Sequence, residues 1–256
     1  MALALLACLA LIGWIQRPDG RLHVHVFAVP GDAILVQMPD GGFILIDGGS
    51  DPAALAVQLG RHMPFWQRKL TAVILTGTNH RRLPGQVGAL ARYHAEMALA
   101  VPDLGTRGTA GEWRRLLSEA QTPLYPLRAG QRLRFGGAGV SVLAVNPGDE
   151  GGAVLLVHYG ATRILVHTGG NAGDAGAQLN RPDLLIYPWQ RSTDTALLAQ
   201  MKPRAIAFTT AYEAPEPALL TYAERHRAAP QLFHPALDGT ITLISDGRRA
   251  WSESEK

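Results

Sequence analysis

Apolar positions in this chain come in short runs broken by Gly, Pro and Asp, the pattern of many strands with a few helices between them. Leu22 to Val29 alternates with period two and places His23 and His25 on one face. Ala33 to Met38 and Phe43 to Ile46 are further strands, joined by the hairpin signal Pro39-Asp40-Gly41-Gly42. The third strand runs into Asp47-Gly48-Gly49, and a helix is expected from Ala53 to about His62. Ser50 or Asp51 would cap it, with Pro52 in its first turn. Leu70 to Leu75 predicts a buried strand, followed by a helix from about Gly85 to Tyr93, a strand-like Val101 and an amphipathic helix from Gly111 to Ala120. The second half repeats the scheme. Strands are expected at Arg132 to Phe135, Val140 to Val145, Ala153 to Tyr159, Arg163 to Thr168, Leu184 to Tyr187 and Ala205 to Thr209, with closing strands at Gln231 to Phe233 and Thr240 to Ser245. Helices are expected near Thr195 to Met201 and at Ala218 to Arg227. Strands and helices mixed in both halves predict two sheets packed face to face beneath outer helices, in one domain. His23 and His25 share a face and are conceivable as a metal pair, but the reading adopted is a solvent-facing pair at the start of a sheet.

Composition narrows the chemistry. The chain has 256 residues, 47% hydrophobic and 18% charged, with a formal charge of +3, which describes an ordered and mildly basic protein. Of its 24 basic residues only Lys69, Lys202 and Lys256 are lysine; the rest are arginine, the better bidentate phosphate ligand. Cys8 is the single cysteine, which excludes an internal disulfide and any cysteine-based zinc site. A metal would therefore need the nine histidines, Asp and Glu. Residues 2–15 are uncharged and apolar, ended by Gln16, Arg17, Pro18 and Asp19. As a helix this run would rise about 21 Å, short of the roughly 30 Å hydrocarbon core. A short anchor, the end of a longer transmembrane helix and a buried helix all fit it. The membrane-associated reading is preferred, with residues 1–20 as apolar helix and turn and 21–256 as the folded domain.

The succession of strand, Gly31-Asp32-Ala33, strand, Pro39-Asp40-Gly41, strand and Asp47-Gly48-Gly49 resembles the opening of metallo-β-lactamase-fold domains. It is most similar to the version found in ComEC-type competence proteins, which carry single-stranded DNA through bacterial inner membranes. The segment Arg61 to Trp66 shares this likeness, which extends from about residue 21 to 247. The resemblance implies an α/β four-layer αββα sandwich. It also implies a metal-binding loop after the strand ending at Thr76, reading Thr-His-x-His-x-Asp-His in active relatives, whose metals activate water. With the register set by Leu75-Thr76 and Leu83-Pro84-Gly85, the ligand positions fall on Gly77, Asn79, Arg81 and Arg82, and His80 occupies a spacer. The family's Thr-Gly-Asp corresponds to Thr168-Gly169-Gly170, its His-His-Gly-Ser to Trp189-Gln190-Arg191-Ser192, and its last histidine to the stretch from Tyr212 to Pro215. The expectation is a degenerate member of the fold, without metal or other cofactor and without hydrolytic activity.

Three functions are compatible with that reading. A membrane-held scaffold or partner-binding domain, with a ComEC-type channel protein as the candidate partner, requires nothing further and is preferred. A binding module for single-stranded DNA or another phosphate ligand would use His80, Arg81, Arg82 and Arg191 around the former metal pocket, with Trp189 stacking on a base. An enzyme with relocated ligands would draw on Asp32, Asp47, His80, His167 and Asp174. Each of these has a plainer role: Asp47 ordering the Gly48-Gly49 loop, Asp32 sitting in a turn, His167 as a satisfied core histidine. The resemblance places the domain on the outer face of the cytoplasmic membrane.

Overall fold

The computed structural model describes residues 17–146, 151–169, 181–188, 200–209 and 229–256. Two large sheets face one another. The first contains β1 (Leu22–Val26), β2 (Ala33–Gln37), β3 (Phe43–Asp47), β5 (Ala72–Leu75), β7 (Ala98–Ala100), β8 (Leu124–Pro126), β16 (Ile241–Ser245) and β17 (Ala250–Ser254). Its order is β17-β16-β1-β2-β3-β5-β7-β8. The second contains β9 (Arg132–Phe135), β10 (Ala138–Asn146), β11 (Gly152–Tyr159), β12 (Thr162–His167), β13 (Leu184–Pro188), β14 (Ala205–Thr209) and β15 (Gln231–Phe233), in the order β15-β14-β13-β12-β11-β10-β9. A short pair, β4 (Lys69–Leu70) with β6 (His94–Ala95), lies outside both.

Period-two alternation sorts the side chains into layers. Leu22, Val24, Val26, Ile34, Val36, Ile44, Ile46 and Ile74 point between the sheets and meet Val140, Leu155, Val157, Ile164, Val166 and Ile186 from the other side. The opposite face of the first sheet carries Leu35, Leu45, Val73 and Leu75. It is covered by α1 (Pro52–His62), α2 (Leu83–Leu90) and α3 (Gly108–Glu119), which contribute Leu55, Leu59, Leu83, Trp113 and Leu117. The outward face of the second sheet is buried as well, through Val154, Leu165, Leu185, Ile206 and Phe208. Its expected helices at 195–201 and 218–227 fall almost wholly outside the described residues. So does the apolar run 2–15; among the described residues no helix is long and apolar enough to cross a membrane.

Asp51 is the cap of α1: its Oδ1 accepts from the amides of Ala53 (2.8 Å) and Ala54 (3.1 Å), and Pro52 opens the helix. The structure corrects two expectations. β17, absent from the sequence reading, forms the edge of the first sheet, because polar Ser252 and Glu253 conceal its strand character. The His23/His25 pair does not face solvent. His25 is buried and stacks on His62 at the end of α1, with ring centroids 4.4 Å apart and planes 8° from parallel. Helix α1 runs over β1 and closes that face of the strand.

Candidate functional site at the strand ends

The site is built where β3, β5, β12 and β14 finish together, each ending in or next to an oxygen-bearing side chain: Asp47, Thr76, Thr168 and Thr209. All four are buried, as is Asp32 immediately before β2. Asp47 adopts a left-handed backbone (φ 54°), uncommon for a residue with a Cβ, and its carboxylate shows what holds it there. Oδ1 accepts from the Thr76 amide at 2.8 Å and Oδ2 from the Thr76 hydroxyl at 2.5 Å. The Thr168 hydroxyl donates in turn to Thr76 Oγ1 at 2.7 Å, so the hydroxyls form a chain from one sheet to the other. Thr209 completes the set by donating its hydroxyl to Asp32 Oδ1.

Arg82 enters the middle of this group. Its side chain is only 6% exposed, its Nε lies 2.9 Å from Asp32 Oδ2 and 3.9 Å from Asp47 Oδ2. One terminal nitrogen donates to the Gly151 carbonyl and the other to the Thr168 carbonyl. The guanidinium therefore joins two carboxylates of the first sheet to two backbone carbonyls of the second. Burial pushes the Asp47 carboxyl up to about 7; the Arg82 charge and the Thr76 hydrogen bonds pull it down, while Asp32 pushes it up. Without the guanidinium two buried carboxylates would face each other, a costly arrangement.

The loop is shaped around this side chain. A Cβ on Gly77 would lie 2.4 Å from Arg82 Nη1, and one on Gly169 would lie 3.0 Å from Nη2. The first position expected to bear a ligand is thus glycine because Arg82 occupies the space beside it. Asn79, the second, serves as a local staple: its Oδ1 accepts from Arg81 N at 3.1 Å and its carbonyl from Arg82 N at 3.2 Å. Arg81 contributes its carbonyl to Asp32 N at 3.0 Å, pressed so closely on Gly31 that a Cβ there would fall 2.1 Å from the oxygen. Gly48 meets the start of α2, where a Cβ on Gly85 would lie 1.7 Å from the Gly48 carbonyl. Gly49 donates to the Asp32 carbonyl at 2.8 Å and accepts from Gly85 N at 3.0 Å.

These contacts revise several sequence assignments. Arg82 is not a surface phosphate anchor, since its donors are engaged inside the protein. Asp47 binds Thr76 and faces Arg82 rather than ordering the Gly48-Gly49 loop, and Asp32 is the ion-pair partner of Arg82 rather than only a turn residue. His167 is buried against Tyr187, ring centroids 5.0 Å apart. His80 is exposed and Arg81 partly so, at the rim above the buried group. Gly170, Asp174, Trp189, Arg191 and the stretch 212–215 lie outside the described residues. The three threonines were not singled out from sequence; the signal present was a threonine closing each of three apolar strands.

No protein-family model matches the chain, and no curated protein does. Solved structures do. The metallo-β-lactamase fold protein YhfI from Bacillus subtilis superposes with a TM-score of 0.61 at 16% identity, over 83% of this chain and 95% of that one. The chain has the metallo-β-lactamase fold. Zn(2+)-bound PqqB from Methylobacterium extorquens matches at TM-score 0.59 and 14% identity over 82% of this chain and 87% of that one. A diphosphatase from the PhnP family matches at 0.54 and 15% over 91% and 98%. The fold's characteristic metal does not fit the residues described here. Among them no three His, Cys, Asp or Glu side chains are grouped to hold an ion, and the two inward carboxylates already share a guanidinium.

Proposed function

We propose that this chain is a non-hydrolytic metallo-β-lactamase-fold domain, related to the ComEC-type DNA-uptake domains, that acts as a membrane-held scaffold or partner-binding module. One observation carries the reading: the Arg82 guanidinium sits between Asp32 and Asp47 at the ends of the strands, where the fold's metal chemistry is expected. An arginine in that place neutralises the carboxylates and links the sheets, but it has no exchangeable coordination position at which a water is activated. The membrane and ComEC parts of the reading rest on residues 2–15 and on the opening motif from Gly31 to Gly49. The test is metal analysis of the purified chain together with phosphodiesterase and nuclease assays in added manganese or zinc. The expected result is substoichiometric metal and no turnover above buffer. Stoichiometric metal or metal-dependent turnover overturns the proposal.

A second reading has its own observation. Arg81 stands partly exposed beside exposed His80, and no acidic side chain among the described residues pairs with it. A rim cation of this kind suits the phosphates of single-stranded DNA. On that reading an oligonucleotide binds in low salt, and Arg81→Ala weakens binding and flattens its salt dependence. Unchanged affinity and salt slope in Arg81→Ala removes Arg81 from any such site.

A further inference from the structure

We infer that the end of the domain opposite the arginine-filled site rests on an anionic lipid surface, with Phe65 and Trp66 at the bilayer interface. The inference rests on the reading of residues 2–15 as membrane-associated and adds which face of the domain meets the lipid.

Four observations locate that end. Pro18 lies against the β2–β3 turn, so close that a Cβ on Gly41 would fall 2.5 Å from its ring. The Tyr159 hydroxyl donates to the Gly20 carbonyl at 3.0 Å, bringing in the β11–β12 turn. That turn touches the β16–β17 turn, where a Cβ on Gly160 would lie 2.1 Å from the Gly247 carbonyl. Thr71 N donates to Phe43 O at 2.7 Å at the start of β3. Three hairpin turns and the beginning of the parallel strands therefore share one end with the point where the chain leaves the apolar run. The Asp47, Thr76 and Thr168 cluster lies at the other end of the same strands.

The chemistry of this end matches a headgroup layer. Arg21, Lys69, Arg163, Arg248 and Arg249 are all exposed on it. Its acids are engaged locally: Asp19 with Arg21 N and the His23 ring (both 3.0 Å) and with the Arg21 guanidinium at 4.0 Å, Asp40 with Gly42 N (3.0 Å), and Asp246 with the amides of Arg248 (2.8 Å) and Arg249 (2.7 Å). Asp183 and Arg204 lie 3.5 Å apart and cancel. Exposed cations thus outnumber the acids. The loop from α1 to β4, which leads through Gln67 into Lys69 (Gln67 Nε2 donates to the Lys69 carbonyl at 3.2 Å), holds Phe65 and Trp66, 60% and 45% exposed and packed edge to face with centroids 4.8 Å apart. Two adjacent large aromatics left in water, next to Arg68 and Lys69, form the amphipathic arrangement favoured at a membrane interface. Basic residues with aromatics also suit a nucleic acid. A nucleic acid, however, offers no place for the uncharged segment 2–15 that precedes Arg17 in the chain. The rim carrying His80 and Arg81 then points away from the bilayer toward the aqueous side.

The experiment places an environment-sensitive fluorophore on the full chain, with Cys8→Ser and either Phe65→Cys or His80→Cys. Phosphatidylcholine vesicles carrying a nitroxide lipid are added, with and without phosphatidylglycerol. The expected result is a blue shift and nitroxide quenching of the probe at position 65 on phosphatidylglycerol vesicles in low salt, with position 80 unaffected. Capture of the chain with both probes still in water overturns this inference and leaves the anchoring reading standing. No capture by any vesicle overturns both. Shielding of position 65 before lipid is added means that residues 2–15 cover the aromatics, which also overturns it. So does a response of position 65 to an added oligonucleotide in place of vesicles.

Discussion

Arg82 is the residue on which the site turns, because removing it leaves Asp32 and Asp47 buried without their counter-charge. Deleting one partner of a buried ion pair costs about 3–5 kcal/mol, since the remaining charge has neither water nor partner. Arg82→Met should therefore lower unfolding stability by about that amount, read in a urea titration. The double variant Arg82→Met/Asp32→Asn should lose less than Arg82→Met alone, because one orphaned charge goes with the arginine. A loss in the double variant equal to the sum of the losses in Arg82→Met and Asp32→Asn would show that the pair is not coupled. Gly77→His, which places an imidazole at the first position expected to bear a ligand, should destabilise the chain rather than recruit metal. Its Cβ would lie 2.4 Å from Arg82 Nη1, so the guanidinium must leave before any ion can enter. Zinc-dependent stabilisation of that variant would contradict this.

Among the elements, α1 is defined by its two ends. Asp51→Ala removes the acceptor for two amides and should cost about 1 kcal/mol, read by chemical denaturation. At the other end His62 stacks on His25, and the Nε2 atoms of both rings are buried without a hydrogen-bond partner among the described residues. Burial holds both imidazoles below the usual histidine range. His25 is lowered further by His62 and His23, while for His62 nearby Glu255 opposes the trend and Arg61 reinforces it. A depressed folded-state pKa means that the unfolded chain binds more protons below about pH 6.5. Stability from this pair is therefore present above that pH and is lost as pH falls toward the folded-state values. His25→Phe should weaken the fall in melting temperature between pH 7 and pH 5; an unchanged slope would assign the acid sensitivity elsewhere.

Across the whole molecule, the two sheets are joined at both extremities of their strands. One joint is the Arg82 cluster and the other is the contact of Gly20, Gly160 and Gly247 with neighbouring backbone and Tyr159. Helix α2 is locked to the first joint through Gly85, whose Cβ position coincides with the Gly48 carbonyl. Gly85→Ala cannot be accommodated without moving the helix start and the 77–82 loop that precedes it. It should cost at least about 3 kcal/mol or abolish folding, measured by circular dichroism and thermal melting. A wild-type melting curve for this variant would show that the contact yields freely. Division of the strand ends also separates roles: one end holds the arginine-filled site with its His80/Arg81 rim, the other the exposed aromatic pair.

Sequence alone determined most of the strands though not β6, β8 or β17, the α1 cap at Asp51, the Gly-containing turns and the fold class, because local pattern and turn chemistry act over a few residues. The resemblance put the expected ligand positions on Gly77, Asn79, Arg81 and Arg82, none of them an imidazole. Sequence did not separate the two arginines: adjacent and alike in charge, they differ only in where the 77–82 loop turns them. Tertiary structure made that distinction by bringing Asp32, Asp47, Gly151 and Thr168, far apart in the chain, around one side chain. It likewise turned His25 inward by stacking His62, at the end of α1, on it, and left Phe65 and Trp66 exposed. Each outcome depends on the meeting of distant segments, and a buried charge settles on its partners only once those segments have excluded water.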